Sequence, residues 1–91
     1  MNPVARELTV YGEVQGVFFR DGIRREAEHL GVTGWVENAP DGTVVAYFEG
    51  PADAVEKLVK WSHDGPTKAR VDRVAVTECT PAGTAEFRVR G

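Results

Sequence analysis

The chain has 91 residues, of which 42% are hydrophobic and 27% charged, and its formal net charge is −3. This length accommodates one hydrophobic core, so we expect a single domain over residues 1–91. The acidic balance argues against binding to nucleic acid or an anionic membrane. The longest apolar run, residues 44–48, is far shorter than the ~20 residues that a membrane-spanning helix needs.

The N-terminal residues and the cysteine content favour a cytoplasmic location. Residues 1–6 form no apolar signal region, and a single cysteine, Cys79, cannot form an internal disulfide. We interpret Cys79 as a small core or edge residue, because no histidine lies near it in the sequence to activate a thiol.

The first third of the chain predicts a strand, a loop and a helix. Residues 7–14 alternate between apolar and polar types, as expected for a strand with one buried face. The loop spans residues 15–20. Helical spacing of apolar residues follows, with Asp21 as the predicted N-cap and Gly31 as the predicted stop.

The middle of the chain predicts a hairpin followed by a second helix. Residues 33–38 and 43–49 have strand patterns, and the dense turn signal between them joins the two strands. Pro51 opens the second helix, and residues 64–66 end it.

The last third predicts two more strands, at residues 71–79 and 86–90, with Phe87 and Val89 facing the core. The element order is then β-α-β-β-α-β with one extra strand. Because right-handed crossovers leave few arrangements, we expect an α+β fold of the ferredoxin-like split β-α-β type. In that fold two helices cover one face of a mostly antiparallel sheet.

The loop before the first helix is the strongest functional signal, and it reads Gln15-Gly16-Val17-Phe18-Phe19-Arg20. A loop in this place can point backbone N–H groups at one small anion, and the Arg20 guanidinium can bond two of its oxygens at once. A side chain at Gly16 would crowd that anion. We expect Arg20, Arg24 and Arg25 to supply the local positive charge that the net charge lacks.

Asn38 is the second candidate site residue. It stands where the hairpin turn begins, and its side chain offers an acceptor and two donors without titrating. Such an amide can hold a water molecule but is a poor base. No pair of histidines, cysteines or carboxylates has a metal-ligand spacing.

Two segments of the chain resemble the signatures of the acylphosphatase family. Residues 12–20 resemble the pattern GxVQGVxFR, and residues 34–38 followed by 41–44 resemble GWVxN and DGxV. The similarity extends over nearly the whole chain, including the Gly50-Pro51 helix start and the segment from Trp61 to Gly65-Pro66.

This resemblance implies hydrolysis of a carboxyl–phosphate anhydride to a carboxylate and inorganic phosphate, without a metal or cofactor. By motif position, Arg20 and the backbone N–H groups of residues 15–20 would bind the phosphoryl group, and Asn38 would position the attacking water. The implied substrate is an acyl phosphate. The candidates are carbamoyl phosphate, acetyl phosphate, bisphosphorylated glycerates and phospho-aspartyl proteins, and the sequence does not choose among them. Ile23 and Ala39 stand where many members have threonine, and we expect weaker local hydrogen bonding and a lower rate.

Two other classes of function are compatible with the expected fold. One is a catalytically silent anion-binding or regulatory domain that kept the loop, although a chain of one domain favours a free enzyme. The other is an RNA-recognition module with Tyr11 and Tyr47 on the open sheet face. The net charge of −3 and the missing RNA signature disfavour it. We expect a monomer, and we expect Trp35 and Trp61 to be core or helix-packing residues.

Overall fold

Five strands and two helices follow one another in the predicted order. The computed structural model describes residues 2–91. The elements are β1 Val4–Glu13, α1 Phe19–Leu30, β2 Thr33–Asn38, β3 Val44–Gly50, α2 Ala52–Asp64, β4 Arg70–Cys79 and β5 Phe87–Arg90.

The strands form one sheet in the order β4-β1-β3-β2-β5. β1 is antiparallel to β3 and β4, and β2 is antiparallel to β3, whereas β5 runs parallel to β2. Both helices pack against the sheet and against each other. The ferredoxin-like α+β architecture predicted from the sequence is therefore confirmed.

The hydrophobic core lies between the helices and one face of the sheet. Its fully buried side chains come from alternate strand positions and from one stripe of each helix: Leu8, Val10, Val36, Val44, Ala46, Phe48, Phe19, Ile23, Ala27, Val55 and Leu58. Each such large side chain contributes about 1.5–3 kcal/mol by its removal from water. This packing fixes α1 against the end of the sheet where β1 and β2 approach the candidate site.

Helix α1 begins three residues earlier than predicted. Phe18 is its N-cap, and the first helical hydrogen bond joins Gly22 N to Phe18 O at 3.0 Å. The prediction of Asp21 as N-cap is wrong because Phe19 is buried edge-on against Trp61, with ring centroids 5.9 Å apart. Burial of that ring extends the helix by three residues, so Phe19 and Arg20 belong to its first turn and not to the loop.

The last strand departs from prediction in one side chain. Phe87 is buried, as expected, but Val89 is 42% exposed. Val89 is paired with Val36 at the sheet edge, next to a cleft that neither helix fills. The expectation that Val89 faces the core is therefore wrong, because the cleft takes the place of the covering helix there.

The sheet face opposite the helices carries Trp35, which was expected in the core. Its ring stacks on that of Tyr47 at a centroid distance of 6.4 Å, and the Arg90 guanidinium lies 4.0 Å from its centroid. Trp61, in contrast, packs between the helices as predicted. Neither helix among residues 2–91 is long and apolar enough to cross a membrane.

Cys79 lies half-buried at the end of β4. Burial raises the pKa of its thiol, with a further contribution from the charge of Glu7. This environment agrees with the interpretation of Cys79 as an edge residue.

Candidate functional site

A cleft of about 780 Å³ opens where the β1–α1 loop, the end of β2 and the last strand meet. The predicted site residues that line it are Gly16, Phe18, Phe19, Arg20 and Asn38. Arg20 and Asn38 are 18 positions apart in the sequence, and the fold brings both of them to one surface. The side chains of Gln15 and Val17 do not line the cleft.

The backbone of the loop is left-handed at two positions. Gly16 has φ 75° and Phe18 has φ 66°. This conformation is freely available to glycine, but a residue with a Cβ pays roughly 1–2 kcal/mol for it. A Cβ built at Gly16 would meet no atom within 4 Å, so glycine is required there by the backbone angle and not by packing against the protein.

The start of α1 supplies backbone donors to the same cleft. The N–H groups of residues 19–21 precede the first helical hydrogen bond and have no partner within the helix. The positive end of the helix dipole reinforces them. A helix N-terminus that faces a cleft beside a left-handed loop is suited to binding one small anion.

Arg20 lies half-buried in this first turn and lines the cleft. Its Nη1 donates a hydrogen bond of 2.9 Å to the main-chain oxygen of Gly91. One edge of the guanidinium is thereby oriented by the protein. A planar group held in this way can present its other donors to an anion bidentately.

Arg24, Arg88 and Arg90 also belong to the lining of the cleft. The Arg90 guanidinium, however, lies over Trp35 on the outer face of the sheet, and Arg88 and Arg90 are ion-paired with Glu86 and Glu37. Arg24 was expected from the sequence, whereas Arg25 does not line the cleft. Both of them bond to Asp21, at 3.2 and 2.9 Å, and the hydrogen bonds from Arg25 and then Arg24 lower the pKa of the Asp21 carboxyl. Arg20 and Arg24 therefore outnumber Asp21, the carboxylate in the lining, although the whole chain is acidic.

Sequence reasoning missed Arg88 and Arg90. Their signal was the alternation of basic and apolar residues in the last strand. That pattern predicted a strand but could not show that it pairs with β2, and this parallel pairing places it beside the cleft.

Gln15 connects the loop to the β2–β3 turn. Its side-chain Nε2 donates to the carbonyl oxygens of Ala39 at 2.8 Å and Thr43 at 2.9 Å. Val17 is half-buried against the core and anchors the loop from its other side. These two residues hold the loop, and their side chains are not part of the cleft wall.

The β2–β3 turn is restrained by its own hydrogen bonds. Asp41 Oδ1 accepts from Thr43 Oγ1 at 2.6 Å and from Thr43 N at 3.0 Å, and these two bonds lower the pKa of the Asp41 carboxyl. Ala39 N donates to Thr43 O at 2.9 Å. Asn38, paired with Val44, is therefore the last residue of a rigid strand pair when it reaches the cleft.

No group of three or more histidine, cysteine, aspartate or glutamate side chains within residues 2–91 could hold a metal ion. The cleft wall offers arginine side chains and backbone N–H groups, which are donors for anions. The absence of a metal or cofactor in the chemistry stays a prediction.

Comparison with known proteins identifies the family. The model of the acylphosphatase family matches residues 6–89. This chain belongs to the acylphosphatase family. The acylphosphatase of Rubrobacter xylanophilus is 58% identical over 82 residues, covering 89% of this chain and 74% of the relative. The acylphosphatase of Thermococcus kodakarensis is 52% identical over 91 residues, and the match covers 100% of this chain and 100% of the relative.

A solved structure of an acylphosphatase from Coxiella burnetii supports the same assignment. It is 40% identical in sequence, with a TM-score of 0.94 over 98% of this chain and 94% of that protein. The fold of this acylphosphatase is thus that of an established member with a closely similar backbone.

The two departures from the family signatures occupy different environments in this acylphosphatase. Ile23 is fully buried in the core, where it packs as an apolar side chain. Ala39 is half-buried in the turn, and its backbone N–H and carbonyl oxygen are both hydrogen-bonded. The lower rate expected from these departures stays a prediction.

Proposed function

We propose that this acylphosphatase hydrolyses the carboxyl–phosphate bond of small acyl phosphates to a carboxylate and inorganic phosphate. One observation carries the proposal: Arg20, from the first turn of α1, and Asn38, from the end of β2, line a single cleft together with the loop at Gly16. Membership of the acylphosphatase family supports the same activity.

The phosphoryl group binds to Arg20 and to the backbone N–H groups of residues 15–20. Phosphoryl transfer spreads negative charge over three equatorial oxygens, and little else is required of the protein than to position the reactants and neutralise that charge. Donors fixed by a loop and a helix start need not reorganise during the reaction, which makes them effective in the transition state.

Asn38 positions the attacking water. Its amide can accept a hydrogen bond from the water and donate one to a phosphoryl oxygen, but it does not take up a proton at neutral pH. The water oxygen bonds to phosphorus as the phosphorus–acyl oxygen bond breaks. The electron pair leaves with the carboxylate, and the proton of the water passes to a phosphate oxygen of the substrate.

The chemistry requires no general acid, because a carboxylate is a good leaving group that departs as an anion. We therefore propose that the enzyme works without a metal or cofactor. Its partner is a small-molecule acyl phosphate.

Hydrolysis of benzoyl phosphate in the presence of EDTA tests these roles. Arg20→Ala is expected to lower kcat/KM by 10²–10³-fold, equivalent to about 3–4 kcal/mol of transition-state stabilisation, and to weaken inhibition by inorganic phosphate. Asn38→Ala is expected to lower kcat while inhibition by phosphate is retained. Lys60→Ala, which removes one positive charge from an exposed position of α2, serves as the control and leaves both quantities unchanged.

Each outcome has a separate meaning. An unchanged rate in Arg20→Ala or Asn38→Ala would reject the role of that residue. A wild-type protein that binds phosphate but hydrolyses neither benzoyl nor acetyl phosphate would be the silent anion-binding domain. Activity that EDTA abolishes and added metal restores would reject metal-independent catalysis.

We also propose that the protein acts as a monomer in the cytoplasm. Among residues 2–91 only three large hydrophobic side chains are exposed, and two of them, Phe18 and Val89, line the cleft and do not form a separate patch. Light scattering coupled to size-exclusion chromatography tests the oligomeric state, and fractionation of the source cells tests the location.

A further inference from the structure

Exposed hydrophobic side chains concentrate at the candidate site. Within residues 2–91 the large exposed hydrophobics are Phe18 at 75%, Val76 at 42% and Val89 at 42%. Phe18 and Val89 line the cleft that contains Arg20, whereas Val76 lies on β4 at the opposite edge of the sheet. The cleft therefore has an apolar part beside its cationic part.

Phe18 occupies an unfavourable position for a large apolar side chain. It has a left-handed backbone at the N-cap of α1, where glycine or asparagine is accommodated with less strain. Its neighbour Phe19 turns into the core, so the same backbone that buries one ring exposes the other. The Phe18 ring thus gains nothing from the core, and a strained residue at a site is evidence for a role there.

An acyl phosphate has the same two-part character as the cleft. Its phosphoryl end is anionic and suits Arg20 and the helix start, and its acyl end is apolar when the acyl group is larger than acetyl. A ring stacked on or set edge-on to an aromatic acyl group adds an attraction beyond burial of area. Phe18, at the N-cap of α1, and Val89, on β5, line the same cleft, so both are available to one such group.

We infer that Phe18 and Val89 form an acyl-group subsite that makes this enzyme favour acyl phosphates with an apolar or aromatic acyl group. The inference rests on the proposed hydrolysis of acyl phosphates and specifies its substrate class. Phe18 and Val89 act on specificity, and the phosphoryl group stays with Arg20 and the backbone donors.

The test compares kcat/KM for benzoyl phosphate with kcat/KM for acetyl phosphate in each variant. The ratio cancels changes that affect both substrates alike, and it is expressed relative to the wild-type ratio because the two leaving groups differ in intrinsic reactivity. Phe18→Asn keeps a residue that tolerates the left-handed backbone but removes the ring. Val89→Thr keeps the side-chain shape but makes it polar. Val76→Ala removes an equally exposed hydrophobic far from the cleft.

The Phe18→Asn substitution is expected to lower the ratio about three- to tenfold, the range of one aromatic contact. Val89→Thr is expected to lower it by a smaller factor, and Val76→Ala is expected to leave it unchanged. A ratio in Phe18→Asn equal to that of the wild type would overturn the inference while the proposed function stands. If Phe18→Asn hydrolyses neither substrate, an unchanged ratio in Val89→Thr overturns it. A wild-type protein that is inactive on both substrates rejects the proposed function itself.

Discussion

The side-chain amide of Gln15 lies 2.8 Å from the carbonyl oxygen of Ala39, the residue that follows Asn38. This hydrogen bond joins the loop that precedes Arg20 to the turn that follows Asn38. Arg20 belongs to α1 and Asn38 to β2, and in the sheet β3 lies between β2 and β1, the strand that leads into the loop. The separation of Arg20 and Asn38 therefore depends on contacts such as this one.

Replacing Gln15 with leucine is expected to impair catalysis without removing any group from the cleft. The substitution deletes the hydrogen bonds to Ala39 and Thr43, and it should lower the free energy of unfolding by about 1 kcal/mol, since exposed and partly exposed bonds contribute modestly. A small displacement of the loop relative to Asn38 should reduce kcat/KM by about ten- to a hundredfold. Urea unfolding and steady-state kinetics measure the two effects. Glu28→Gln, on the exposed face of α1, is the control, and normal kinetics in Gln15→Leu would contradict a positioning role.

Gly16→Ala is expected to lose phosphate binding, because its Cβ would project into space that the ligand needs. Gly83 provides a matched control: its φ of 84° is close to the 75° of Gly16, and a Cβ at either position meets no atom within 4 Å. Both alanine variants should therefore lose about 1 kcal/mol of unfolding free energy from backbone strain. Only Gly16→Ala should show weaker inhibition by inorganic phosphate. Equal inhibition in the two variants would show that Gly16 is a turn residue and nothing more.

Glu49 is expected to make the free energy of unfolding depend on pH in the acidic range. Its buried side chain accepts hydrogen bonds from the Tyr47 hydroxyl and from backbone N–H groups of residues 82–84, which hold that segment on the outer face of the sheet. Burial by itself raises the pKa of Glu49. The bonds from Tyr47 and then from Thr84, Gly83 and Ala82 outweigh that effect and lower it from the ordinary value of 4.5.

Because the pKa of Glu49 is lower in the folded than in the unfolded state, its contribution is complete above about pH 4.5 and is lost as the pH falls through the folded value. Glu49→Gln should lower the free energy of unfolding by about 1–3 kcal/mol at pH 7, because the amide replaces one of the two carboxylate oxygens that accept from the three backbone N–H groups. It should also lose less stability than the wild type between pH 7 and pH 3. Urea unfolding at both pH values measures this, with Glu56→Gln as an exposed control. The same acid-induced loss in Glu49→Gln and wild type would contradict the assignment.

Hydrolysis is expected to be nearly independent of pH between about 6 and 8. Neither His29 nor His63 lines the cleft, the Asn38 amide does not titrate, and a histidine base would produce an inflection in this range. A pH–rate profile for benzoyl phosphate measures this. An inflection near pH 6.5 that disappears on replacing His29 or His63 would reject transfer of the proton to the substrate.

Much of the site could be predicted because its backbone conformation depends on residues that are neighbours in the sequence. The left-handed backbone at Gly16, the turn after Asn38 and the change from strand to helix spacing at the loop depend on a few adjacent residues, whose steric limits are known in advance. Their order along the chain, with the periodicity of the strands, also determined the α+β fold class.

Packing between distant elements decided what the local pattern could not. The helix starts at Phe19 because that ring is buried against Trp61, and Asp21 consequently pairs with Arg24 and Arg25 instead of capping the helix. Val89 is exposed at the cleft because a parallel edge strand next to β2 extends beyond the covering helices. Sequence thus determined the backbone of the loop and turn, where the energy terms act within a few residues. Tertiary structure decided which side chains line the cleft, since the free energy of burying one surface against another arises only once both elements are in place.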